Sequence, residues 1–282
     1  MIRGLYTGAS GMVAQMHRMD QLSNNLANVD VTGYKKDTSI HKAFPELMIR
    51  RLNDDGVYKF PFGSMDTAPV VGKLGTGVEM NEAYTDFTQG ALKETGNPFD
   101  IAIEGEGFFV VDTPTGERYS RNGTFVLGKE GLLLTKDGMP VLGQNGPIQI
   151  KKNNFVIDQK GNVFQNARYA GDPERLVSLE ENEWEDAEFV DKLQLVDFDR
   201  TRYLKKEGTS RWRSTVESGG PVQLTTDDPT KVRQGFLETS NVNPVKAMVN
   251  MIEVNRAYEA NQKTMKTHDE LTGKLVNDML RM

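Results

Sequence analysis

The residues that could do chemistry in this chain are few. There are three histidines, His17, His41 and His268, and no cysteine. The lack of cysteine removes disulfides, thiol nucleophiles and thiolate metal ligands together. None of the histidines sits in a metal-site rhythm of paired ligands, and no His-Glu-x-x-His, phosphate-cradling Gly-Lys-Ser/Thr or Gly-x-Ser-x-Gly motif occurs. Gly105-Glu106-Gly107 and Gly75-Thr76-Gly77 are lone Gly-x-Gly pieces with no helix behind them, as in turns or bulges. The pairs Glu104/Glu106 and Asp197/Asp199 could divide acid and base roles on a glycan. Acids alternating along a strand are more simply its solvated face. Trp184, Trp212 and Tyr203, with Arg202, Arg211 and Arg213 nearby, have the composition of a stacking surface for sugars or single strands. The acidic run EENEWEDAE at 180–188 opposes nucleic acid, and packing inside a β domain is the plainer role for the rings. No catalytic, metal or cofactor site is expected; the competing class is a cell-wall glycan-binding or glycan-cleaving β protein.

The 282 residues carry a formal net charge of −6, with 26% charged and 37% hydrophobic residues. The sequence pI is about 5.3 and the mean hydropathy −0.53. That balance excludes a general nucleic-acid binder, which needs basic surface to displace counterions. No apolar run approaches the ~18 residues of a spanning helix, so no membrane insertion is expected. The opening MIRGLYTGASGMVAQMH is amphipathic and lacks the apolar core and cleavage site of a secretory signal. The protein is expected either to stay in the cytoplasm or to leave by a route that reads something else.

Two helical ends bracket the chain. The first is expected from about Arg3 to Ala27, with a stripe at Leu5, Ala9, Met12, Met16, Met19, Ser23 and Leu26, in steps of four and three. It stops in the Asn- and Gly-rich stretch 28–33. The last begins with Asn243 as a cap and Pro244 at the first helical position, and runs to about Arg281. Its stripe reads Met248, Met251, Asn255, Tyr258, Gln262, Met265, Asp269, Thr272, Val276 and Met279. Heptad spacing keeps one seam on a partner helix over many turns, and polar residues within it select register. The two ends are expected to pack on each other and on other chains, with Asn255, Gln262 and Asp269 either specifying partner or facing solvent.

Between the ends the period changes. Residues 34–96 are mixed, with a possible short helix in AFPELMIRRL and loop or edge strand in the Gly-, Pro- and Asp-rich 53–77. From Asp100 onward, short β runs are punctuated by Asn122-Gly123, Glu130-Gly131, Asp137-Gly138 and Lys160-Gly161, the pattern of antiparallel hairpins. Two further β runs are expected at Lys192–Phe198 and Ser210–Glu217. The fold class is therefore α+β: terminal helices forming a coiled-coil-like domain (1–35 plus 241–282), a linking β/loop region (36–96 plus 215–240) and a central antiparallel β domain (97–214).

Four blocks resemble a known family. Leu22-Ser23-Asn24-Asn25-Leu26-Ala27-Asn28 followed by Thr32-Gly33-Tyr34-Lys35-Lys36 is similar to the signature of the bacterial flagellar rod and hook axial proteins. The opening MIRGLYTGASGM resembles the rod-protein N-terminus, and Asn97 to Phe109 (NPFDIAIEGEGFF) the block that opens the family's β domain. Gly235 to Asn243 (GFLETSNVN) and Arg256 to Lys263 (RAYEANQK) resemble the C-terminal axial motif. The resemblance implies a structural subunit, without cofactor, of a hollow torque-transmitting shaft, its proximal type more than its distal one. It implies export through the flagellar type III apparatus without a cleavable signal, a place in the periplasmic basal body, and partners among copies of itself, the neighbouring rod and hook axial proteins and the export apparatus. Assembly contacts are expected at Leu5, Met12, Met16, Met19, Asn24, Asn25, Leu26, Asn28, Gly33 and Tyr34, and at Met248, Met251, Asn255, Tyr258, Gln262, Met265, Asp269 and Val276.

Overall fold

A computed structural model describes residues 2–51, 57–61, 63–66, 69–150, 155–166, 187–208, 210–225 and 229–279. Two long helices, α1 (Ile2–Ala27) and α2 (Pro244–Met279), enclose a series of short strands in sequence. The chain divides into two compact units. The first comprises Met1–Asn24, Thr38–Ala83 and Val245–Met282, the second Asn25–Asp37 and Tyr84–Pro244.

In the first unit α1 and α2 are antiparallel neighbours at very short range. A Cβ on Gly4 would meet the His268 ring at 2.7 Å, one on Gly8 would meet Met265 Cγ at 2.9 Å, and one on Gly11 would meet the Asn261 amide at 2.9 Å. Glycines at steps of four and three thus present bare backbone along one face of α1, and Ala14 continues the line. The inward face of α2 reads Ala247, Met251, Val254, Tyr258, Asn261, Met265, His268 and Thr272, all buried or half-buried. This corrects the expected phase of the seam within the chain. Met251, Tyr258, Met265 and Thr272 lie on it, but Val254, Asn261 and His268 take the places expected for Asn255, Gln262 and Asp269, which are exposed with Met248 and Val276. On α1, Leu5, Met12, Met19 and Leu26 are half-buried beside the glycine line, and Met16 is exposed. A hydrophobicity pattern counts apolar side chains; close approach is decided here by their absence.

The expected short helix in 43–52 is a strand instead. Leu47–Arg50 pairs antiparallel with Val70–Leu74, with a register shift between Ile49 and Arg50. A four-residue stretch behind Pro45 cannot repay helix nucleation, whereas an extended one finds a ready partner. Asp37–Ala43 pairs with Val78–Thr85, and Val57–Phe60 with Gly63–Asp66.

The second unit is built on a six-stranded antiparallel sheet in the order 205–207, 211–213, 116–120, 108–113, 195–197, 222–223. Its central strand, Phe108–Thr113, opens with four consecutive apolar residues because both of its faces are covered. Phe109 points into a core with Ile101, Phe125, Leu133 and Leu193, while Phe108 and Val110 point into a second core with Tyr119, Phe198 and Trp212. Trp212 is therefore packing, edge-on to Phe87 at 5.3 Å, and not part of a stacking surface. Lys160-Gly161 turns the hairpin of Phe155–Ile157 and Asn162–Asn166, and Glu130-Gly131 the one of Phe125–Leu127 and Leu133–Thr135. Asn122-Gly123 instead joins strands of different sheets. Trp184 and most of the acidic run 180–188 lie outside the described residues. Truncating Phe109→Ala should cost about 3–5 kcal/mol in urea unfolding of the β body. Val216→Ala, at a fully exposed position, should leave the midpoint unchanged.

Candidate assembly site

The segment that leaves α1 and the segment that enters α2 meet in the second unit, and their union is polar and dry. Leu92–Glu94 pairs with Phe236–Glu238, and Ile101–Glu104 with Lys231–Gln234, which carries the second segment across the sheet end. Lys35 Nζ lies 2.5 Å from Glu238 Oε1, with both side chains about 1% exposed. The same ammonium donates to the Thr88 carbonyl at 2.9 Å, and Glu238 Oε1 also accepts the Gly90 N–H at 2.8 Å. Arg121 Nη1 stands 3.6 Å from Glu238 Oε2 and donates to the Gly105 carbonyl at 2.8 Å. Two buried cations thus converge on one carboxylate. Burial lowers the pKa of the Lys35 ammonium, with Glu238 acting against it, and burial likewise lowers that of Arg121. Charges this dry are tolerated only when paired, and losing one partner of such a pair is strongly destabilising.

Around this ion cluster the connector is fixed by amide and hydroxyl groups. Gly33 N–H donates to the Glu238 carbonyl at 2.8 Å. Tyr34 Oη donates to Asn25 Oδ1 at 3.0 Å, and Asn25 Nδ2 donates to the Asp37 carbonyl at 2.8 Å. Asn241 accepts the Lys36 N–H at 2.8 Å and donates to the Asp86 carbonyl at 2.8 Å. Lys206 Nζ donates to Asp37 Oδ2 at 2.8 Å and sits 4.2 Å above the Tyr34 ring. Gly33 is in the left-handed region at φ +66, where a Cβ would also strike the Arg121 backbone at 2.5 Å. Only glycine fits there.

Of the residues read first as candidate chemistry, Glu106 and Asp197 act electrostatically on Arg121 beside this cluster. Glu104 pairs with Arg233, Nε to Oε2 at 2.6 Å, on the paired strands. Glu106, Asp197 and Asp199 line one cavity of about 480 Å³ with Phe87, Phe108 and Arg121. Arg202 stacks over Tyr84 at 4.9 Å. Among the described residues no group of three His, Asp or Glu side chains could hold a metal ion. None of their helices is long and apolar enough to cross a membrane. Lys35, Glu238, Arg121 and Lys206 were not among the expected site residues. A lysine directly after the Gly-Tyr pair and a glutamate in Leu-Glu-Thr-Ser were the available signals, unread because charges in loops are ordinarily solvated.

Residues 5–35, which contain the connector as far as Lys35, match the family described as Flagella basal body rod protein. Residues 233–279 match the Flagellar basal body rod FlgEFG protein C-terminal family, and 102–165 the Flagellar hook protein FlgE/F/G D1 domain. The chain is similar along nearly its whole length to curated proteins. It is 33% identical to Flagellar hook-basal body complex protein FlhO of Bacillus subtilis, covering 99% of each chain. It is 33% identical to Flagellar basal-body rod protein FlgG of Buchnera aphidicola subsp. Acyrthosiphon pisum, over 98% of this chain and 99% of the other. The chain belongs to the flagellar basal-body rod protein family. A third relative, Flagellar basal-body rod protein FlgF of Caulobacter vibrioides, is 32% identical over 96% of each chain. The protein is thus a structural subunit of the flagellar rod and not an enzyme. In this member the rod-family blocks at 22–36 and 235–243 meet around Glu238.

Gly33→Ala should cost well over the ~1 kcal/mol of left-handed backbone alone, since the added methyl also collides with the Arg121 backbone; thermal unfolding measures it. Tyr34 tests the electrostatics. Burial, then the negative charge of Asp37, push its phenol pKa far above the ordinary value. A phenol with a raised folded-state pKa contributes its full stability below about pH 10 and loses it as pH rises toward the folded value. At pH 7, Tyr34→Phe should be about 1 kcal/mol less stable than the parent, for the lost Asn25 hydrogen bond. In urea melts above pH 10 that gap should close by about 1.4 kcal/mol per pH unit, because only the parent then holds a buried phenol that resists ionisation.

Proposed function

We propose that this rod subunit is of the proximal type, built into the shaft through its terminal helices after export by the flagellar type III apparatus, and located where the rod crosses the periplasm. The opening MIRGLYTGASGM supports the proximal assignment. The distal type is the second reading, and the relatives named FlgG and FlgF fit either. The reading of the helices as assembly elements rests on one observation. Large apolar side chains, among them Tyr6, Val13, Met16, Met248 and Ile252, stand exposed on the outer faces of both helices. In the polymer these faces become a coiled-coil-like layer of 1–35 plus 241–282, with 97–214 as the outer β body and 36–96 plus 215–240 between them.

The residues proposed for assembly then act in two ways. Met16, Asn24, Met248, Asn255, Gln262, Asp269 and Val276 are exposed and able to touch neighbouring copies or neighbouring axial proteins. Asn25, Gly33 and Tyr34 are buried within the chain and act by holding the connector to the β body. Leu5, Met12, Met19, Leu26, Asn28, Met251, Tyr258 and Met265 are half-buried and back the exposed faces.

Deleting residues 1–28, or 244–282, should leave a folded β body by circular dichroism that no longer enters purified basal bodies, with motility lost. Normal incorporation of either truncated form would refute the assembly reading. Labelling isolated basal bodies for this chain would separate the proximal from the distal position.

A further inference from the structure

The cavity of about 480 Å³ beside the ion cluster lies wholly inside the second unit. Phe87, Phe108 and Phe198 give it one continuous aromatic wall, with Phe108 edge-on to Phe87 at 5.3 Å and to Phe198 at 5.9 Å. Phe108 and Phe198 are buried, Asp197 is half-buried, and Glu106 and Asp199 are exposed. The floor is therefore aromatic and the rim acidic. Among the described residues none of these three carboxylates closes a hydrogen bond or an ion pair. Arg121 forms the remaining side. Its side chain is 4% exposed, its guanidinium lies 5.2 Å from the Phe108 ring centroid, and Nη1 donates to the Gly105 carbonyl. Its Nε–H is buried without an acceptor. Three carboxylates thus surround one guanidinium that Glu238 already neutralises, and a half-buried carboxylate without a partner costs free energy that a cation would recover.

We propose that this cavity binds an arginine side chain presented by a neighbouring protein chain, its guanidinium on the phenylalanine wall and paired with Asp197, Glu106 and Asp199. The other guests fit less well. An anion would meet three carboxylates at Arg121's side. A metal ion finds no group of ligands able to hold it among the described residues. A free amine would pair with the carboxylates but bring no acceptor for the Arg121 N–H. An arginine within a peptide brings main-chain carbonyls as well as a planar fork that stacks on rings and grips carboxylates. The chain makes such pairings itself, with Arg121 against Phe108 and Arg202 at 4.9 Å over Tyr84. The site is complete within one copy, so it goes beyond the rod assignment and is tested without it.

The chain has two tryptophans, and Trp212 packs on the cavity wall, 5.3 Å from Phe87 and 5.8 Å from Phe108. In full-length Trp184→Phe protein its fluorescence therefore reports what enters. The probes are blocked tripeptides, acetyl-Gly-X-Gly-amide, with X arginine, citrulline (the neutral isostere) or glutamate. The arginine peptide should give a saturable change. Citrulline should bind about tenfold or more weakly, as expected for losing a charged hydrogen-bonded pair, and glutamate not at all. Asp197→Asn should weaken the arginine peptide by a similar factor. Glu106→Gln with Asp199→Asn, at exposed positions, makes the same test should Asp197→Asn fail to fold. No saturable response to the arginine peptide would overturn the proposal. So would a citrulline response of equal strength, an unchanged affinity in the folded carboxamide variants, or preference for the glutamate peptide, which would assign the cavity to anions. None of these outcomes bears on whether the chain enters the rod, which labelling of isolated basal bodies decides separately.

Discussion

One buried carboxylate organises the second unit. Glu238 receives Lys35 and stands beside Arg121 where the side chains are dry, while its own backbone carbonyl takes the Gly33 N–H. Those groups come from three stretches of chain: the connector after α1, the segment at Arg121 and the approach to α2. A buried charge with an acceptable set of partners has only one arrangement of its surroundings, because any displacement leaves a charge unpaired in a low-dielectric site. It makes the connector rigid where a chain of Asn, Asp and Gly would otherwise be among its softest segments.

The rest of the connector is built to serve that pair. Gly33 is required because the backbone, two residues before Lys35, passes through the left-handed region against the Arg121 backbone. Asn25 and Tyr34 satisfy each other and tie the end of α1 to Asp37. Lys206 closes the arrangement from the β body, through Asp37 and the Tyr34 ring. Gly33, Tyr34, Lys35 and Glu238, which lie in the blocks that carry the resemblance, are all buried here and held by hydrogen bonds or ion pairs.

Much of this was legible in the sequence, and the failures have physical causes. Both helices start within a residue of their expected positions and α1 ends at Ala27 as expected, because Pro244 and the Asn/Gly run after Ala27 are local signals; the expected end of α2 at Arg281 lies outside the described residues. The β body followed from period two and Gly turns, since each hairpin is also local. The phase of the α1–α2 seam did not follow, because three glycines that add nothing to a hydrophobic pattern decide how close the helices come. The strand at Leu47–Arg50 was missed because its partner lies twenty residues on, at Val70–Leu74. The ion cluster was missed for the same reason at longer range: nothing near Lys35 announces a partner at 238.

That separation has a consequence in time. A ribosome delivers the connector early and Glu238 late, so through most of synthesis Lys35 has no carboxylate to fold against and the strands at 92–94 and 101–104 have no 231–238 to pair with. Contacts between the two ends of a chain are slow to form, since the entropy of closing the intervening loop is lost before the contact repays it. A nascent copy therefore leaves this junction open until nearly all of the chain is in one place. Closure is then a single late event, and the stiffness of the connector arrives only with the far end of the chain.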